Sequence, residues 1–89
     1  MLILPTILTQ TQANDCLAKL TQDVQREAEK QVVIDAAPLN SFDSSALAVL
    51  LAVRRECARA GKLFAVKGLP DRLRDLAALY GIEGLLTAA

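Results

Sequence analysis

Gln31-Val32-Val33-Ile34-Asp35-Ala36-Ala37-Pro38-Leu39-Asn40-Ser41-Phe42-Asp43-Ser44-Ser45-Ala46-Leu47-Ala48-Val49-Leu50-Leu51 contains a strand, a loop and the start of a helix. Gln31 to Asp35 is a short, continuous apolar run, the composition of a strand buried on both faces. Pro38 and Asn40 mark a loop. From Ser44 the pattern becomes helical and runs to about Ala60, with a stop at Gly61. Asp43 or Ser44 can accept hydrogen bonds from the orphan N–H groups of the first turn. Gly61 suits the left-handed residue that closes a helix. A strand that feeds a helix in this way is half of a β-α-β unit.

Upstream, Leu2 to Thr9 reads as a strand interrupted by Pro5, which removes one ladder donor and suits an edge or a bulge. A helix is expected from about Gln12 to Glu29. Its apolar face is Ala13, Cys16, Leu17, Leu20, Val24 and Ala28. Thr9, Thr11 and Asn14 are alternative caps. Downstream, Leu63 to Val66 is a strand, and Leu69-Pro70-Asp71 opens a helix whose stripe is Leu69, Leu73, Leu76, Ala77 and Tyr80, ended by Gly81. Ile82 to Leu86 adds a short strand or coil. The order β-α-β-α-β-α favours crossovers of one hand onto a mostly parallel sheet of about four strands. Residues 1–89 form one α/β domain.

Eighty-nine residues, 53% of them apolar, suffice for a single core. Ten basic residues balance ten acidic ones, and the aromatics are only Phe42, Phe64 and Tyr80. Nucleic-acid binders normally carry a cationic surplus and stacking platforms, so that class is not expected. The absence of His removes the usual general base and metal ligand. Cys16 and Cys57 form no CxxC pair and read as small buried hydrophobes. Neither an enzyme nor a cofactor or metal site is expected. Met1 to Thr9 lacks the basic start and cleavage site of an export signal, and the apolar run Ala46 to Val53 is too short to span a bilayer. A cytoplasmic domain with reduced thiols is the expectation.

The helix after Ser44 is apolar around most of its circumference. Ala46, Val49, Leu50, Val53 and Cys57 make the stripe that a sheet would cover. Leu47 and Leu51 lie outside it, and an apolar flank left over on a small domain suits a partner. Burial of that flank by the neighbouring helix and the Phe42 loop is the alternative. The expected contacts are Asp43, Ser44, Ser45, Leu47 and Leu51, with Arg54 and Arg55 as a charged rim. The basic cluster Arg54, Arg55, Arg59 and Lys62, interleaved with Glu56, reads as a solvated face.

Leu39 to Leu51, with Asp43-Ser44-Ser45 at its centre, resembles the signature of STAS domains, the family of bacterial anti-sigma-factor antagonists. Val32 to Asp35 upstream, and Gly61-Lys62-Leu63, Val66 to Gly68 and Leu76 to Ile82 downstream, extend the likeness over about Leu2 to Leu85. The Leu-rich helix and the Leu76-Ala77-Ala78-Leu79-Tyr80 ending are most similar to MlaB-type members. These are small accessory subunits that bind the ATPase of an ABC transporter for phospholipids. The resemblance implies that Ser44 occupies the position phosphorylated in sigma-regulating members, which answer to an anti-sigma kinase, and that it faces the partner in transporter subunits. It implies no direct insertion into the membrane. Two departures are visible. Ala46 stands where the family has Gly, and the family's usual first strand is absent, which leaves an open sheet edge unless a partner or the tail covers it.

Overall fold

A computed structural model describes residues 1–89. Five short strands, β1 (Leu2–Ile3), β2 (Ile7–Leu8), β3 (Gln31–Asp35), β4 (Ser41–Phe42) and β5 (Leu63–Lys67), alternate with three helices, α1 (Gln10–Arg26), α2 (Ser45–Arg59) and α3 (Asp71–Leu79). The main sheet has the order β1-β3-β5, and every pairing in it is parallel. Each crossover therefore steps the same way across the sheet. Crossovers of one hand that always step in one direction put their helices on one face. The result is two layers: Leu2, Val32, Ile34 and Val66 share a single core with Leu20 and Val24 of α1, the inner face of α2, and Leu73 and Ala77 of α3.

This corrects the expectation that β3 is buried on both faces. Val32 and Ile34 are buried, but Val33 between them is only half-buried. On that second face Ile3 and Leu63 remain 59% and 62% exposed. A continuous apolar run is compatible with two-sided burial, but it cannot supply a helix that the strand order sends to the other side.

Pro5 splits the first strand in two. Leu4 donates its N–H to the Asp35 carbonyl (2.9 Å), and the next residue has no N–H to continue the ladder. The chain turns, and β2 pairs in parallel with β4, Ile7 opposite Ser41 and Leu8 opposite Phe42. The Thr6 carbonyl accepts the amides of Asn40 (2.8 Å) and Ser41 (3.0 Å), fixing the approach to α2. The segment expected to be only a loop thus ends in a strand. β1 is the edge strand of the main sheet; its two-residue length and the adjoining Pro5 make it a poor template for pairing.

Thr9 caps α1: its amide (3.0 Å) and hydroxyl (2.7 Å) both donate to Gln12 Oε1. The helix therefore starts before Gln12 and ends at Arg26, leaving Ala28 and Glu29 beyond it. α2 ends as a Schellman turn, in which Gly61 at φ 71° lets the Lys62 amide reach the Cys57 carbonyl (2.8 Å). α3 ends in the same way at Gly81, with Ile82 donating to Ala77 (3.0 Å). Tyr80, expected in the buried stripe, is instead exposed at the end of the helix. After a 3-10 turn at Glu83–Leu85, Ala88 bridges Val66 in parallel, so the tail covers the outer edge of β5.

Candidate partner-docking surface

Asp43, not Ser44, caps α2. Ser44 already has helical backbone angles (φ −62°, ψ −16°) and makes no capping bond through its hydroxyl. Asp43 supplies both halves of the cap: its carbonyl accepts the Ala46 amide (3.1 Å) and its Oδ1 accepts the Ser45 amide (2.8 Å). The second carboxylate oxygen, Oδ2, accepts the amide of Gln10 (3.2 Å), the first residue of α1. One side chain therefore ties the starts of two helices together across 33 positions of sequence.

These bonds favour the ionised carboxylate. The Ser45 amide contributes most and the Gln10 amide adds to it, against a smaller opposing effect of desolvation, so the Asp43 pKa lies below its ordinary 3.8. The folded state holds the charged form more tightly than the unfolded state. The stabilisation is therefore complete above the unfolded carboxylate value and disappears as pH falls through the folded one. Asp43→Asn is expected to lower the melting temperature at pH 7 and to leave it close to wild type near pH 2. Thermal melts at the two pH values check this, and an equal loss at both would show that the charge of Asp43 contributes nothing.

Around α2, Ala46, Val49, Leu50, Val53 and Cys57 are all buried, as their spacing predicts. Leu47 is buried as well, only 2% exposed, which corrects the expectation that it is bare. The reason is topological. α2 is the crossover between β3 and β5, and α1 packs along it, so its apolar arc faces a neighbouring helix as well as the sheet. Leu51 is half-buried and packs against the core, so it too is partly withdrawn from the expected contact face. Ser45 is half-buried, while Asp43, Ser44, Arg54 and Arg55 are exposed.

The surface that α2 does present is narrower: Ser44, Ala48, the half-buried pair Leu51 and Ala52, and Arg55, at helical spacing. Its centre is made of small side chains. The basic cluster divides. Arg59 pairs with Glu56 (3.1 Å) and Lys62 donates to the Glu27 carbonyl, whereas Arg54 and Arg55 form no ion pair. Two residues at this end of the molecule have no counterpart in the sequence expectations. Gln10 receives the Asp43 tie, and the Arg72 guanidinium lies 5.0 Å from the centroid of the Phe42 ring.

Burial pushes the thiols of Cys16 and Cys57 up, favouring the unreactive protonated form. A cleft of about 510 Å³ runs between β1–β2 and α1, lined by Ile3, Pro5, Ile7, Asp15, Cys16 and Lys19 among others, and shares no residue with the Ser44 strip. No helix is long and apolar enough to cross a membrane.

No curated protein matches the chain in sequence. Residues 2–87 match the family model described as Mlab, STAS domain. With the parallel sheet, the helices on one face and the Asp43-capped helix all in place over the matched residues, the chain belongs to the STAS domain family, in its MlaB-type branch.

Proposed function

We propose that this STAS domain is a non-enzymatic accessory subunit that docks on the ATPase of a phospholipid ABC transporter through the outward strip of α2. The observation that carries the reading is the division of labour at the helix start. Asp43 performs the capping, so the exposed Ser44 hydroxyl is left without a role inside its own chain. Ala48 and Ala52 behind it give a shallow surface that another polypeptide can approach closely, and Arg54 and Arg55 form a rim that sets orientation more than affinity. Membership of the MlaB-type branch supports the choice of partner. The domain would then sit at the cytoplasmic face of the inner membrane, held there by its partner.

Ser44→Glu tests the reading. Being exposed and at a helix start, where negative charge is favoured, the substitution is expected to keep the fold. It should abolish co-purification with the ATPase, because a fixed charge must be desolvated on docking. Retention of the ATPase at wild-type level would exclude this strip as the interface.

The same free hydroxyl favours a second reading, an anti-sigma-factor antagonist released by phosphorylation of Ser44. A phosphate there would be drawn by the helix N-terminus and repelled by the Asp43 carboxylate. Incubation with ATP and a serine-kinase anti-sigma factor, followed by intact-mass measurement, separates the two. One added phosphate on Ser44 supports the second reading, and an unchanged mass leaves the transporter reading.

A further inference from the structure

The docking strip is bracketed by cations. Arg54 and Arg55 stand exposed and unpaired at one end. At the other, the exposed Arg72 reaches from the first turn of α3 across to β4, its guanidinium 5.0 Å from the Phe42 ring centroid. Phe42 lies two residues before Ser44, so this contact holds a cation against the segment that leads into the strip. Arg72 forms no ion pair, not even with Asp71 or Asp75 on its own helix. Both oxygens of the nearby Asp43 are taken by the Ser45 and Gln10 amides.

We propose that Arg72 is a partner-selecting residue, taking a carboxylate of the docked polypeptide beside Ser44. This inference rests on the docking reading and adds to it the chemistry of the occupant: a protein surface with an Asp or Glu side chain facing Arg72, and further acidic groups facing Arg54 and Arg55. The ring supports one face of the guanidinium and leaves its edge donors free for a carboxylate. Because the side chain is already held by Phe42, less rotamer freedom is lost on binding. A lysine offers a point charge without the planar fork, so it replaces only part of this function.

The test is the affinity of the purified transporter ATPase for wild type and for Arg72→Gln, Arg72→Lys and Arg72→Glu at low and high salt, with a melting curve for each variant. Arg72→Gln is expected to bind about tenfold more weakly, Arg72→Glu about a hundredfold more weakly, and Arg72→Lys in between. All should melt like wild type, since Arg72 is exposed. Arg72→Gln should also show a shallower loss of affinity with salt, the signature of a removed charge contact. Wild-type affinity in the Gln and Glu variants overturns the assignment of Arg72 and leaves the docking reading standing. Weaker binding with a lowered melting temperature and an unchanged salt slope assigns Arg72 to the fold, and also overturns the inference. If the wild-type chain does not bind the ATPase, both readings fall.

Discussion

Leu47→Asp is expected to leave the chain unfolded at 25 °C, with no native far-UV circular dichroism and a collapsed amide NMR spectrum. Leu47 is 2% exposed and belongs to the common core beneath the helical layer. Truncating such a leucine to alanine costs about 2–5 kcal/mol through lost burial and a residual cavity. An aspartate adds the desolvation of a carboxylate with no cation built to receive it, several kcal/mol more. A domain of this size has roughly 5–10 kcal/mol in hand, so the sum exceeds it. Leu47→Ala should fold with a markedly lowered melting temperature. A folded, stable Leu47→Asp would mean that Leu47 faces solvent and that α1 does not cover α2.

Ala48→Arg, one residue further on, is expected to do the opposite. Ala48 is exposed on the outer arc of α2. Arginine is nearly as good a helix former as alanine, and surface changes of this kind stay within about 0.5 kcal/mol. The melting temperature should therefore shift by no more than a few degrees. Binding should fall by about a hundredfold or more, because a long charged side chain is placed at the centre of a contact formed by small residues. Titration of the ATPase with the variant, monitored calorimetrically, checks this. Adjacent positions would thus separate the core role of α2 from the docking role proposed for it: one variant loses the fold and the other only the partner. Undiminished affinity in Ala48→Arg would remove the strip from the interface.

Much of the fold was legible because its signals are local. Gly61 and Gly81 mark the helix ends at which the Schellman bonds occur, and Pro5 marks the break between β1 and β2. The buried stripe of α2 follows directly from its spacing. The unread features are those set by strand order or by distant contacts. A helix that is apolar nearly all round can be covered by its own chain or by another, and only the packing of α1 along α2 assigns Leu47 to the first case. Val33 is as apolar as Val32 and Ile34, yet it lies on the face away from the helices and is only half-buried.

The site was legible to the same degree. Asp43 and Ser44 were both visible as caps, and their local chemistry is similar. What separates them is the backbone, helical already at Ser44, so that Asp43 takes the Ser45 amide; the added tie from the Gln10 amide comes from α1 and has no trace in the residues around Ser44. The Arg72–Phe42 contact likewise joins residues that only the packing of α3 brings together. A basic residue in the first turn of the last helix was the one available sign, and it is too common to point anywhere by itself.

On the proposed docking reading, the partner meets the outward strip of α2 and not the face of the sheet on which Ile3 and Leu63 are also exposed. The most direct measurement is the amide NMR spectrum of the ¹⁵N-labelled domain during titration with the unlabelled ATPase. Shifts and line-broadening centred on Ser44, Ala48, Ala52 and Arg55, with Leu63 and Ile3 unmoved, are expected. Perturbations centred on Ile3, Val33 and Leu63, with the α2 strip silent, would contradict the claim.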